Sequence, residues 1–130
     1  MSNPRDTLYY RIFAYWSIFI LYAGIIFVLS SLSVVVKMPY FRHLDKIEHA
    51  IEFGIFSILL YRAMFVSFVR IPAVYLLLMT LFASIAYGAT DEYHQLFTPL
   101  RTPDIFDWLA DTVGILAAQG IILVRMYLRL

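Results

Sequence analysis

Long apolar runs alternate with short polar stretches along the chain, and four of the runs are long enough to cross a membrane. A transmembrane helix needs about 20 mostly apolar residues. The runs cover approximately residues 12–36, 45–68, 71–90 and 104–128. The first and third carry no charge, whereas the acids of the second and fourth lie near their beginnings. This pattern predicts an all-α protein, a bundle of four transmembrane helices.

The connections between the runs are short. Pro39 and Pro72 lie in two of them, and proline is disfavoured inside helices because it lacks a backbone donor. The first run is too long for the core of a signal peptide, so we expect a retained helix. With no internal repeat and no long linker, residues 1–130 are predicted to form a single membrane domain.

Composition supports a membrane protein. Of the 130 residues, 62% are hydrophobic and 18% aromatic, and the mean hydropathy is +0.79. Soluble domains average roughly 45–50% apolar residues, so the lipid bilayer is the expected environment. No basic tract indicates nucleic acid as a partner, and no cofactor motif is present. The absence of cysteine excludes disulfides, thiolate catalysis and cysteine-ligated zinc.

The basic residues predict an orientation. With four spans, both termini and the loop between the second and third spans share one side of the membrane. That side carries Arg5, Arg11, Arg62, Arg70, Arg125 and Arg129, and the other carries Lys37, Arg42, Lys46 and Arg101. Under the positive-inside rule this excess predicts cytoplasmic termini. Eight of the nine acids then lie on the outer side, and because acids have little topological weight, this asymmetry needs another cause.

One polar cluster opens the second span, in the stretch HLDKIEHAIEFG. Asp45, His49 and Glu52 stand at i, i+4 and i+7, so they form one stripe on a helix. We expect Lys46 and Glu48 to point elsewhere, toward headgroups or water. Ionisable groups one to two turns inside a span are costly in lipid, so His49 and Glu52 should face other helices or a wet cavity.

A second cluster follows the third span, in the stretch DEYHQLF. Glu92 and Gln95 share a face if the third helix continues through this stretch, and Asp91 and His94 share the adjacent face. These side chains are then expected on the same side of the membrane as the first cluster.

The fourth span opens with a third polar stripe. Thr102 is a favourable helix N-cap, and Asp104, Asp107 and Asp111 recur at i, i+3 and i+7. A carboxylate in the first turn is stabilised by the helix dipole, but Asp111 lies about two turns in and needs a partner. Arg101 is the only nearby guanidinium, and we expect it to pair with Asp107.

Together these residues resemble the VanZ-like family of small bacterial membrane proteins. The family pattern is roughly D-K-x-x-H with an aromatic residue and a glycine, then E-x-x-Q-x-F, R-[ST] and D-x-x-x-[ND]-x-x-G. The matching residues are Asp45, Lys46, His49, Phe53, Gly54, Glu92, Gln95, Phe97, Arg101, Thr102, Asp107, Asp111 and Gly114. Asp111 stands where many members have asparagine. The resemblance implies a multi-pass protein of the bacterial cytoplasmic membrane that is associated with the cell envelope. For the member that gave the family its name, it also implies lowered susceptibility to the glycopeptide teicoplanin.

Binding is the first hypothesis for the polar clusters. They would form a hydrogen-bonded cage that engages a lipid-linked precursor or a peptidoglycan stem. The cage residues are Asp45, His49, Glu92, Gln95, Arg101, Asp107 and Asp111. Arg101, Lys46 and His49 would hold a phosphate, and the carboxylates would accept hydrogen bonds from sugar hydroxyls or ammonium groups.

Two alternatives stay open. In the first alternative the protein is a hydrolase or transferase. Its catalytic candidates are then His49, Asp45 and Glu92, with His49 as a general base that Asp45 orients. In that case a divalent metal would be held by His49, Glu52 and Asp107, although no sharp metal signature is present. Otherwise the polar residues hold helices together in a structural or transport subunit. The oligomeric state is left open.

Overall fold

Four helices make up the protein in the computed structural model, which describes residues 4–32 and 44–128, with side chains from residue 7 onward. The helices are α1 (Pro4–Ser31), α2 (Leu44–Ser67), α3 (Ala73–Gln95) and α4 (Ile105–Leu128). Each is long and apolar enough to span a membrane. The prediction of an all-α membrane protein with four spans is confirmed, and cytoplasmic termini stay a prediction.

Two helix boundaries differ from the predicted spans. The first helix begins at Pro4 rather than near residue 12 and ends at Ser31, and residues 33–36 of that predicted span, with Pro39, lie outside the described residues. The third helix continues beyond residue 90 to Gln95. Its last turns remain helical because Asp91, Glu92 and Gln95 are buried against the other helices rather than exposed at a helix end.

The second helix is the centre of the bundle. It packs against each of the other three helices, most extensively against α4. Fully buried Phe53, Phe56, Leu76 and Ile115 form the core of these contacts. In contrast, most large side chains of α1 are exposed, as expected for a helix whose outer surface lies against lipid.

A close approach of α2 and α4 depends on Gly114. A Cβ atom at this position would lie 2.5 Å from the carbonyl carbon of Ala50 and 2.7 Å from its Cα. Gly54 faces the same contact, where an added Cβ would be 3.2 Å from the Gly114 carbonyl oxygen. The two backbones therefore touch almost directly, as is common where small residues line transmembrane helix pairs.

A buried polar contact ties the middle of the bundle together. The Gln119 side-chain amide donates to Ser57 Oγ at 2.6 Å and to Thr80 Oγ1 at 3.0 Å. These three residues belong to α4, α2 and α3, so one amide joins three helices. Such interhelical hydrogen bonds favour a specific rotation of each helix about its axis.

Candidate functional site

The polar residues converge at one end of the bundle. The first turns of α2, the last turns of α3 and the first turns of α4 meet there, because consecutive spans run in opposite directions. We call this region the polar end and define it by residues 45–52, 91–95 and 101–111. Every carboxylate and imidazole discussed below lies in it.

His49 joins the stripes of α2 and α4. Its Nδ1 lies 2.9 Å from Asp111 Oδ1, and its Nε2 lies 3.9 Å from Asp107 Oδ2. Asp111 is completely buried. The two stripes therefore face each other, and the carboxylate that orients the imidazole is Asp111 rather than the expected Asp45.

Lys46 turns inward, contrary to the expectation that it faces headgroups or water. Its ammonium donates to Asp104 Oδ2 at 2.8 Å and forms an ion pair with Asp107. Ala50, one turn further along α2, packs on Gly114 of α4, so Lys46 lies on the face of α2 that is turned toward α4. Hydrogen bonding from Lys46 lowers the pKa of Asp104 below its ordinary value.

Arg101 does not pair with Asp107, and that prediction is wrong. Its Nε donates to the carbonyl of Leu32 and its Nη2 to the carbonyl of Leu29, each at 3.2 Å. The guanidinium thus satisfies carbonyls at the C-terminal end of α1, where a positive charge is favourable. Leu100, directly before Arg101, has a φ of +66°, which is unfavourable for a residue other than glycine. This backbone conformation directs the loop toward α1.

The beginning of α4 is capped differently from the sequence expectation. Thr102 is exposed, and Asp104 is the capping residue, with Oδ1 accepting from the Phe106 amide at 2.9 Å. The amide of Asp104 in turn donates to Glu92 Oε2 at 2.8 Å. Glu92 thereby ties the end of α3 to the start of α4, and its other oxygen, Oε1, is buried without a partner.

A cavity of about 170 Å³ opens on the other side of His49. Its polar lining consists of Asp45, Glu48, Glu52, Asp91, His49, Gln95 and Arg101, and α1 contributes Ile26, Leu29 and Ser30. Gln95 Nε2 lies 3.4 Å from Asp91 Oδ2, which holds these two side chains in the wall. Four carboxylates against one guanidinium and one imidazole make this an acidic cavity.

The structure divides the predicted site residues into three groups. Asp45, Glu52, Gln95 and Arg101 line the cavity, Lys46 pairs with both Asp104 and Asp107, and His49 contacts Asp111. Asp91, which the sequence interpretation placed on an adjacent face, belongs to the cavity wall. The α1 residues were missed because their apolar, uncharged run carries no signal of a polar neighbour.

One set of side chains has the composition of a metal site. One nitrogen of His49 and one oxygen from each of Glu92 and Asp111 lie within 4.8 Å of one another. The sequence suggested His49, Glu52 and Asp107 instead. In the part of the chain that the structure describes, Glu52 lines the cavity and Asp107 pairs with Lys46. The carboxylates that could bind a metal together with His49 are therefore those of Glu92 and Asp111.

Comparison with known proteins identifies the family of the chain. The model of the family described as VanZ/LLP1 matches residues 6–127. No curated protein and no solved structure gives a significant match. Because the family model covers nearly the whole chain, the chain belongs to the VanZ/LLP1 family.

Proposed function

We propose that this member of the VanZ/LLP1 family binds an amine- or hydroxyl-bearing group of a cell-envelope component at its polar end. The component is a lipid-linked precursor or a peptidoglycan stem, and the binding site is the acidic cavity between α1, α2 and α3. The observation that carries the proposal is the cavity itself, 170 Å³ in volume with four carboxylates in its wall. Such a space has room for several water molecules or a small polar group.

The charges of the cavity favour an ammonium or hydroxyl group over a phosphate. Lys46 is paired with Asp104 and Asp107, and Arg101 is bonded to the carbonyls of α1. Neither cation is available for an anion, which argues against the phosphate-holding role expected for them. The carboxylates of Glu52 and Asp91 accept hydrogen bonds, and such bonds are strongest from a positively charged donor.

The location of the cavity suits a ligand that arrives from the membrane boundary. The cavity lies among residues near the ends of α1, α2 and α3, so it is close to the headgroup region when the helices span a bilayer. Under the predicted orientation this boundary is the extracytoplasmic one, where cell-wall assembly takes place. Binding there would modulate teicoplanin susceptibility by sequestering or presenting the precursor.

Binding of a lipid-linked precursor to the chain in nanodiscs tests this proposal. We compare a precursor that has a free stem-peptide amine with the same precursor after acetylation of the amine. A lost charge-assisted hydrogen bond corresponds to roughly 10- to 100-fold weaker binding. We expect that loss on acetylation, and also in Glu52→Gln and Asp91→Asn.

Asp104→Asn is the matched control, since it also removes a carboxylate from the polar end but lies outside the cavity wall. It should retain the affinity of the unmodified chain. In cells, expression of the chain should lower teicoplanin susceptibility, and Glu52→Gln should abolish that effect. Equal affinity for the free and acetylated precursors, unchanged by Glu52→Gln, would contradict the proposal.

A further inference from the structure

We propose that His49, Glu92 and Asp111 bind one divalent transition-metal ion where α2, α3 and α4 meet. This site shares His49 with the acidic cavity, but Glu92 and Asp111 do not line that cavity, and the inference does not depend on the identity of any envelope ligand. The donor atoms of the three side chains lie within 4.8 Å of one another. Ligand atoms bound to one tetrahedral ion at about 2.0–2.2 Å lie roughly 3.5 Å apart. Side-chain movements of about 1 Å therefore bring the three donor atoms to the distances that an ion requires.

Two unpaired oxygens indicate that a cation belongs there. Asp111 Oδ2 and Glu92 Oε1 are both buried without a hydrogen-bond partner. Asp111 is 0% exposed and Glu92 9%. Burial of an unsatisfied carboxylate oxygen costs free energy, and nearly all buried polar atoms in proteins have a partner. A metal ion between these two residues satisfies both oxygens at once.

Gly88 lets α3 pack closely against Asp111. A Cβ at this position would lie 3.2 Å from Asp111 Oδ2 and 3.3 Å from the Phe53 ring. Gly88 stands one helical turn before Glu92 on α3, so the turn of α3 that leads to Glu92 packs directly against Asp111. The close approach of α3 to Asp111 therefore depends on the glycine.

The surrounding charges favour a cation at the same place. Lys46 is paired with Asp104 and Asp107 on the outer side of the cluster, and Arg101 is bonded to the end of α1. Glu92 and Asp111 therefore have His49 as their nearby basic group. When a neutral His49 imidazole coordinates a divalent ion, the two positive charges of the ion balance the two negative charges of Glu92 and Asp111.

The ligand set identifies the class of metal. One imidazole nitrogen and two carboxylate oxygens suit Zn²⁺ or Mn²⁺, whereas Ca²⁺ and Mg²⁺ prefer oxygen ligands alone. The chain has no cysteine, so a soft thiolate site is excluded. Three protein ligands also leave a coordination position for water or another small ligand.

Metal content and affinity test the inference on the full chain in nanodiscs, purified through a tag that contains no histidine. The protein is stripped with a chelator and titrated with Zn²⁺ and separately with Mn²⁺, and bound metal is counted by mass spectrometry. We expect one ion per chain. Loss of a residue that only supports a metal ligand weakens metal binding roughly 10- to 100-fold. Because Glu92 and Asp111 are proposed as ligands themselves, Glu92→Gln and Asp111→Asn should each weaken binding by more than that.

His94→Asn is the matched control, because it removes an imidazole from α3 that contacts Ser31 rather than the triad. It should leave the affinity unchanged. Electron spin echo spectroscopy of the Mn²⁺ form should detect one coordinated imidazole nitrogen in both the unmodified chain and His94→Asn, a result that does not require the triad variants to fold. Absence of a bound ion from the unmodified chain, or an imidazole signal that His94→Asn removes, overturns the inference.

Discussion

The substitution Gly114→Ala should separate α2 from α4 and thereby disrupt the polar end. The added Cβ would lie 2.5 Å from the carbonyl carbon of Ala50, whereas ordinary van der Waals contact begins at 3.4 Å. The obstacle is backbone rather than a flexible side chain, so the helices must move apart by about 0.9 Å or more at this point. Overpacking of this kind typically costs about 1–3 kcal/mol and occasionally more.

The same movement reaches the candidate site. Ala50 directly follows His49, and Gly114 lies three residues after Asp111. A shift of about 1 Å in the helix axes lengthens the 2.9 Å contact between His49 and Asp111 beyond hydrogen-bonding distance. We therefore expect Gly114→Ala to lower both the stability of the protein and its affinity for a metal ion.

Gly120→Ala provides the matched control on the same helix. No atom lies within 4 Å of a Cβ added there, and alanine is favoured over glycine in a helix by about 0.5–1 kcal/mol. Thermal unfolding in detergent, followed by tryptophan fluorescence and size-exclusion chromatography, should show Gly114→Ala melting well below the unmodified chain and Gly120→Ala at or slightly above it. Equal melting temperatures for the two variants would refute the close-approach argument.

Further expectations concern the polar contacts. Lys46→Met leaves two carboxylates without their ammonium partner and should cost about 1.5–3 kcal/mol in chemical unfolding; no loss would show that these ion pairs do not stabilise the fold. The pKa of Asp104 is lowered in the folded protein, so its carboxylate contributes to folding stability fully above the ordinary pKa of 3.8. This stabilisation is lost as the pH falls below that value, so Asp104→Asn should flatten the acidic part of the stability–pH curve. Arg101→Gln should speed hydrogen exchange in the last turn of α1, while Arg70→Gln should not. Gln119→Leu should cost about 0.5–1.5 kcal/mol, and an equally stable variant would argue against its bridging role.

Hydropathy and helical spacing predicted a large part of this protein. The four helices follow from runs of apolar residues, since a chain in lipid must satisfy its backbone hydrogen bonds within each span. The stripe of Asp45, His49 and Glu52 follows from a period of 3.6 residues. The cost of burying a charge in lipid indicated that His49 and Asp111 need partners within the protein, and these two residues contact each other.

The choice of partners was less predictable. Arg101 is close to Asp107 in sequence, and proximity suggested that they pair. The loop conformation at Leu100 instead directs Arg101 to the end of α1, which is remote in the sequence. Lys46 takes its place beside Asp107 because α2 and α4 approach closely enough for the ammonium to cross between them.

Local sequence thus accounts for what each helix carries on each face, because spacing along a helix is a property of the chain alone. Which faces meet depends on how far each helix is rotated and how closely it approaches its neighbours. Here Gly114 sets the approach of α2 to α4, and Gly88 lets α3 pack closely against Asp111. Both are contacts between distant parts of the chain, and they decide which carboxylates surround His49 and which line the cavity.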